Sequence, residues 1–143
     1  MSIRKVAPKT KSESGQAMVE FAIVATMLLV LLLGIAQFGI AYSHYMALTD
    51  AVRAGSRQGA VSRLTNPANA AEARVRSAAS SSLDSAPGGP LAVTVTFKDL
   101  GGGSQVVQGG DITVKATYPY QINLLGLVVK SGTLTSETTE RVE

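Results

Sequence analysis

Residues Phe21 to Ala41 form an apolar run broken only by Thr26 and, near its end, Gln37, with Glu20 immediately before it. As a helix this run would extend about 31 Å at ~1.5 Å per residue, close to the ~30 Å hydrocarbon core of a bilayer. The carboxylate at its mouth is a second constraint. An acid at full membrane depth costs roughly 2–3 kcal/mol, so one at the edge of a span calls for a partner and a role. The partner that local sequence can supply is a new α-amine, if the chain is cut after Gly15.

The formal net charge of +3 does not indicate a nucleic-acid partner. Arg4, Lys5, Lys9 and Lys11 all precede Gly15, with only Glu13 against them, and the remainder of the chain is neutral. Positive charge just before an apolar helix holds that end in the cytoplasm and sends the rest across. A nucleic-acid surface would need a basic patch with stacking aromatics, and the sequence has none. The absence of cysteine removes disulfides, thiolate metal sites and a lipoprotein anchor. Aromatics are only 5% of the chain and glycine is frequent after residue 85, so residues 64–143 can build only a thin core. Such a domain is expected to lean on its own helix or on neighbouring subunits.

Three segments follow. Residues 1–15 are polar, contain Pro8 and read as a cytoplasmic leader. Residues 16–63 lack proline and favour helix throughout, a span continuing as an extended helix of about 70 Å. Residues 64–143 form a small α+β extracytoplasmic domain. It opens with a helix from Asn66-Pro67, asparagine as N-cap and proline in the first turn, running to Ser80–Leu83. Ala71, Val75 and Ala78–Ala79 face inward, while Glu72, Arg74 and Arg76 are solvated. Ser85 to Pro90 breaks the chain. Leu91 to Phe97 alternates as a strand with Leu91, Val93, Val95 and Phe97 on one face. Asp99 to Gly103 makes a turn, Gln105–Gln108 pairs back, and Gly109 to Asp111 turns again. Ile112–Tyr118 is the second long strand, ended by Pro119. Leu124–Val129 is ambiguous between helix and loop, and Leu134–Val142 is the last strand.

Beyond the span, Phe38, Ala41, Tyr45, Leu48, Val52, Gly55 and Gly59 form an apolar-to-small seam at helical spacing. Gly39, Ser43, Ala47, Ala51, Gly55 and Gly59 stand each four apart, a ridge of small residues of the kind that lets helices approach closely in membranes. A four-residue step drifts about 40° on a helix of ~3.6 residues per turn, so about three of its members can face one neighbour.

No catalytic constellation is present. His44 is the sole histidine and reads as an interfacial packing residue beside Tyr42 and Tyr45. Gly101 to Ser104 lacks the lysine and following helix of a phosphate loop. Asp50, Arg53 and Arg57 read as a solvated helix face. Asp99, Asp111, Glu137 and Glu140 have no metal-ligand spacing. No cofactor, metal or enzymatic activity is expected.

Gly15, four intervening residues, Glu20-Phe21 and a long apolar helix resemble the processing site of a type IVb prepilin. Gly15-Gln-Ala-Met-Val-Glu-Phe-Ala22, Gly39, Tyr42 and Ala51-Val-Arg-Ala-Gly-Ser-Arg57 are similar to the TadE-like minor pilins, or pseudopilins, of the Flp (tight-adherence) pilus system. Residues 111–120 resemble a strand in the carboxy-terminal part of that family. The resemblance implies cleavage between Gly15 and Gln16 by a prepilin peptidase, leaving Glu20 as the fifth residue. Glu20 then pairs with the Gln16 amine of its own or an adjoining chain and sets axial register.

The expected fold is therefore α+β and type IV pilin-like: a long amino-terminal transmembrane and amphipathic helix, a second helix and a small antiparallel sheet. The expected function is structural, through helix packing in pilus assembly. The expected site is single-pass in the inner membrane, amino terminus cytoplasmic, with possible entry into the pilus. The resemblance implies as partners the peptidase, other minor pilins, the major Flp-type pilin and inner-membrane platform proteins, besides the lipid bilayer. The alternatives are a secreted binding protein whose signal peptide is cut after Ala36, at Gly34-Ile-Ala, and an unprocessed single-span protein.

Overall fold

The computed structural model describes residues 12–62, 66–83, 90–103, 106–124 and 126–143. The leader up to residue 11, most of the break before Pro90 and the start of the expected pairing at Gln105 lie outside them. The described elements are α1 (Ser12–Ala60), α2 (Pro67–Leu83), β1 (Ala92–Lys98), β2 (Asp111–Leu124) and β3 (Leu127–Arg141). Two helices and one three-stranded antiparallel sheet, in the order β1-β2-β3, make this an α+β fold. The chain divides into two compact units, Met1–Ala36 and Gln37–Glu143.

The described residues of the first unit are the amino-terminal part of α1. Its residues are leucine-, alanine- and methionine-rich and free of proline from Ser12 onward, which suits an uninterrupted helix. Apolar side chains from Met18 to Ile35 are exposed around its circumference. It is long and apolar enough to cross a membrane, and its most apolar window is not buried at all within the protein.

The second unit holds the core. On α1, Leu48, Ala51, Val52, Gly55, Ser56, Gly59 and Ala60 are buried, an i, i+3, i+4 stripe that continues the spacing of the sequence. The helix then tightens and stops: Ser62 donates both its N–H and its hydroxyl to the Gly59 carbonyl, at 3.3 and 2.8 Å. Asn66 adopts a left-handed conformation at φ 50°, tolerated by its short polar side chain, and its carbonyl accepts the Ala70 N–H at 3.1 Å. An N-cap ordinarily has extended dihedrals, so Asn66 makes a sharper entry than the expected cap. Pro67 opens α2, where its missing N–H leaves no helical bond unmade. Pro67, Ala71, Val75, Ala79 and Leu83 are the buried face of α2.

Each strand shows one face to these helices. Ile112, Val114, Ala116 and Tyr118 of β2 are buried, and Phe97, Val95 and Val93 of β1 stand opposite the first three. On β3 the partners of these four β2 residues are Glu140, Thr138, Ser136 and Leu134, so the core thins toward that edge. Leu91 is buried just before β1 begins. Arg76 is less detached from the domain than a solvated helix face implies. It pairs with Glu72 at 2.8 Å and also donates to the Leu91 carbonyl at 3.2 Å, tying α2 to the start of β1. Asp99 organises the following turn by accepting the Gly101 and Gly103 N–H groups at 2.8 and 2.6 Å.

Two expectations about the last strands are corrected. Pro119 does not end β2, which continues to Leu124 opposite β3. β1 reaches only Thr117 of β2, so beyond that point β2 has a single neighbour and a residue without an N–H is tolerated on its open side. Leu124–Val129 is neither helix nor plain loop. Leu124 faces Leu127 across a turn in which Gly126 takes φ 87°, making the tip of a long β2–β3 hairpin. A register shift between Ile122 and Asn123 leaves Val129 as the extra residue on β3. Among the described residues, Val106 and Val107 are not strand; Gly109 and Gly110 instead bond with Val142, at 2.9 and 2.8 Å.

Candidate assembly surface

Gly15 and Gln16 lie within α1 and are exposed. A Cβ added at Gly15 would meet nothing within 4 Å. Glu20 and Phe21 follow on the same exposed surface, Phe21 being 73% exposed. Gln16 and Glu20 are four positions apart, so helix geometry places them on one face. Among the described residues no ion pair engages Glu20. Its neighbours Val19, Ala22, Ile23, Thr26 and Met27 form an open apolar surface. Thr26 does not add free polarity there, because its hydroxyl donates to the Ala22 carbonyl at 2.8 Å.

The ridge of small residues is divided between two environments. Gly39 and Ser43 are exposed, and a Cβ at Gly39 would meet nothing within 4 Å. Ala47 is half-buried, and Ala51, Gly55 and Gly59 face the interior of their own domain. A methyl group at Gly55 would collide with Val75 and stand 2.9 Å from the Ala71 carbonyl. One at Gly59 would collide with Ile112 and stand 3.0 Å from the Ala71 methyl. These two glycines are the surface on which α2 and β2 rest. Their contacts are intramolecular, whereas Gly39 is open to a neighbour.

His44 is half-buried and meets Tyr118 edge-on, with ring centroids 6.0 Å apart and planes at 79°. Helical spacing sets His44 beside Tyr42 and Tyr45, but its aromatic partner in the fold is Tyr118, which spacing along one helix does not reveal. Tyr42 and Tyr45 remain exposed. With Phe38, Ala41, Tyr120, Ile122, Lys130 and Leu134 they line a groove of ≈ 280 Å³. Asp50, Arg53 and Arg57 are exposed on α1. Arg57 and Arg74 flank a second shallow depression with Ala54, Gln58 and Val61. Among the described residues no cluster of histidine and carboxylate side chains is arranged to hold a metal ion.

This surface is therefore one of shape and apolar contact: an exposed apolar helix, one acid near its start and small residues along it. Neither a curated protein nor a solved structure gives a significant match to the chain. Residues 15–57, which carry Gly15, Glu20, the apolar span and the start of the domain's buried helical stripe, match the family of TadE-like proteins.

Proposed function

We propose that this chain is a structural minor pilin or pseudopilin, anchored by α1 and used in assembly of a Flp-type (type IVb) pilus. The observation that carries the reading is Glu20: an exposed acid at the head of an apolar helix, with no ion pair among the described residues, inside the TadE-like segment. Cleavage between Gly15 and Gln16 by a prepilin peptidase supplies the missing cation as a new α-amine on the same helix face. A charge-assisted bond of that kind is roughly twice as strong as a neutral one, and it fixes one axial register among many apolar ones. The leader lies in the cytoplasm, the domain on the far side of the inner membrane, and the helix packs against the major Flp-type pilin, other minor pilins and platform proteins. The chain performs no catalysis in this account.

The secreted reading is the alternative, and its Gly34-Ile-Ala36 signal-peptidase pattern lies inside the uninterrupted helix α1. Intact-mass measurement of protein extracted from membranes separates the readings. A chain beginning at Gln16 supports the pilin reading. One beginning at Gln37 supports the secreted reading, and an uncut chain the unprocessed anchor.

A further inference from the structure

The β2–β3 hairpin presents an apolar tip that the fold leaves uncovered. Leu127, Val128 and Val129 are 73%, 55% and 62% exposed. Leu127 and Val128 are consecutive in a strand, so alternation points them to opposite faces, and neither is covered; Val129, the extra residue of the register shift, is exposed as well. Nothing in the domain's packing calls for three large apolar side chains there. The core side of the sheet ends at Tyr118 and Leu134, well before the tip.

The direction of the hairpin indicates what covers it. Ile112 lies against Gly59, and Tyr118 against His44. Tyr120, Ile122 and Lys130 share a groove with Phe38, Ala41, Tyr42 and Tyr45. From Gly59 to His44 is about 22 Å along a helix, and from Ile112 to Tyr118 about 20 Å along a strand, so the two elements run alongside at matched pace. The hairpin therefore descends along α1 toward Phe38, and Leu124 lies about 7 Å of strand beyond Ile122. Phe38, Ile40, Tyr42 and Tyr45 are themselves exposed apolar or amphipathic residues at the end of the apolar run. The tip continues that exposed apolar band. Lys130 and Tyr120 stand just behind it, residue types that lie with an apolar body in lipid and a polar end in water.

We propose that the 126–130 tip of this hairpin is a second membrane contact, seated in the headgroup layer and upper acyl region of the leaflet into which α1 emerges. The inference rests on α1 spanning the bilayer. A hairpin with open edges has unpaired backbone groups and is excluded from the hydrocarbon core, whereas the interface supplies water and headgroup partners. Interfacial elements sink about 5–10 Å past the boundary, comparable to the ~7 Å by which Leu124 lies beyond Ile122.

The chain has no cysteine, so single environment-sensitive labels can be introduced without background. The full chain is reconstituted in phosphatidylcholine–phosphatidylglycerol vesicles carrying nitroxide lipids, with labels at Val128→Cys, Phe38→Cys, Met27→Cys and Thr94→Cys. Expected is blue-shifted emission at 128, quenched by shallow nitroxides as strongly as at 38, with water-like, unquenched emission at 94. Deep nitroxides should quench 27 and not 128. If 27 is quenched while 128 is water-like, the hairpin proposal is overturned and the span stands. If 128 is blue-shifted yet unquenched by lipid nitroxides, a protein surface or second copy covers the tip, and the proposal is overturned. An unquenched label at 27 overturns the spanning reading and the hairpin proposal together.

Discussion

The Tyr118 hydroxyl donates to the main-chain carbonyl of Leu83. Leu83 is the last residue of α2, where helical carbonyls have no partner within the helix, so a side chain from the middle of β2 closes the end of a helix thirty-five residues earlier in the chain. The same ring meets His44 of α1 on its edge. One buried tyrosine thus joins both helices to the sheet at the point where the core side of β2 ends. The opposite end of the domain is joined through main chain: the Glu143 N–H donates to the Ala60 carbonyl at 3.1 Å, linking the residue after Val142 to the end of α1.

Tyr118→Phe keeps the ring and its edge contact with His44 and removes only the hydroxyl. The Leu83 carbonyl is then left without that donor in a buried setting, which costs about 1–3 kcal/mol. Chemical denaturation of the detergent-solubilised full chain, followed by β-sheet circular dichroism, should show a lower midpoint with an unchanged slope. A midpoint equal to wild type would mean that water replaces the hydroxyl and that the bond contributes nothing net.

The glycines of α1 should separate by location. Gly55→Ala places a methyl group against Val75 and the Ala71 main chain, so overpacking of about 1–3 kcal/mol should exceed the gain in helix propensity of up to ~1 kcal/mol. Gly39→Ala meets no neighbour in its own chain and should be neutral or slightly stabilising. Gly39→Leu should leave the domain's denaturation midpoint unchanged while weakening crosslinks to a neighbouring helix. Equal stability losses at Gly39 and Gly55 would contradict the division of the ridge described above.

The parts of the fold that were legible in the sequence are those in which local pattern and tertiary burial agree. The helix from Pro67 to Leu83 and the strand through Val93, Val95 and Phe97 repeat their inward positions at the period their geometry demands. Pro119 and the Leu124–Val129 segment depart from local rules that presume a different environment. Proline ordinarily stops a strand, but the short reach of β1 leaves its position with one neighbour. The Gly126 turn was hidden inside an apolar run without the polar residues that ordinarily mark hairpins. At the candidate surface, spacing alone grouped six small residues into one ridge, whereas folding of the domain onto α1 assigns Gly55 and Gly59 to the interior. The Tyr118–Leu83 and Tyr118–His44 contacts cross between elements, and no periodicity along one element encodes them.

If the chain is processed as proposed, cutting should depend on the backbone at Gly15. Gly15→Val adds a branched side chain where the peptidase is proposed to seat a glycine, and helix propensity does not oppose the change, because valine forms helix better than glycine within α1. Intact mass of membrane-extracted protein should shift from a chain beginning at Gln16 to the uncut chain, with Gly15→Ala intermediate. Efficient cutting of Gly15→Val at the same bond would remove the glycine from the recognition account.

Glu20→Gln addresses the assembly mechanism itself. The side chain stays near the same size and remains exposed, so insertion and cleavage should proceed as in wild type. Neutralisation also removes whatever part of the roughly 2–3 kcal/mol full-depth penalty an acid pays at the edge of the span, so the variant is no worse as a monomer. What it loses is the charge-assisted attraction to the Gln16 amine, and with it the preference for one register of an otherwise uniform apolar helix. Recovery of mature protein with other pilus components should therefore fall while total mature protein is maintained. Mass spectrometry of the mature terminus supplies the second check, because an amino-terminal glutamine can cyclise to a form without an amine. A terminus found largely cyclised in assembled material excludes the charge pair and leaves Glu20 with recognition by the peptidase alone. Equal co-purification of wild type and Glu20→Gln, with an uncyclised terminus, would show that register is selected by the apolar and small residues and not by the acid.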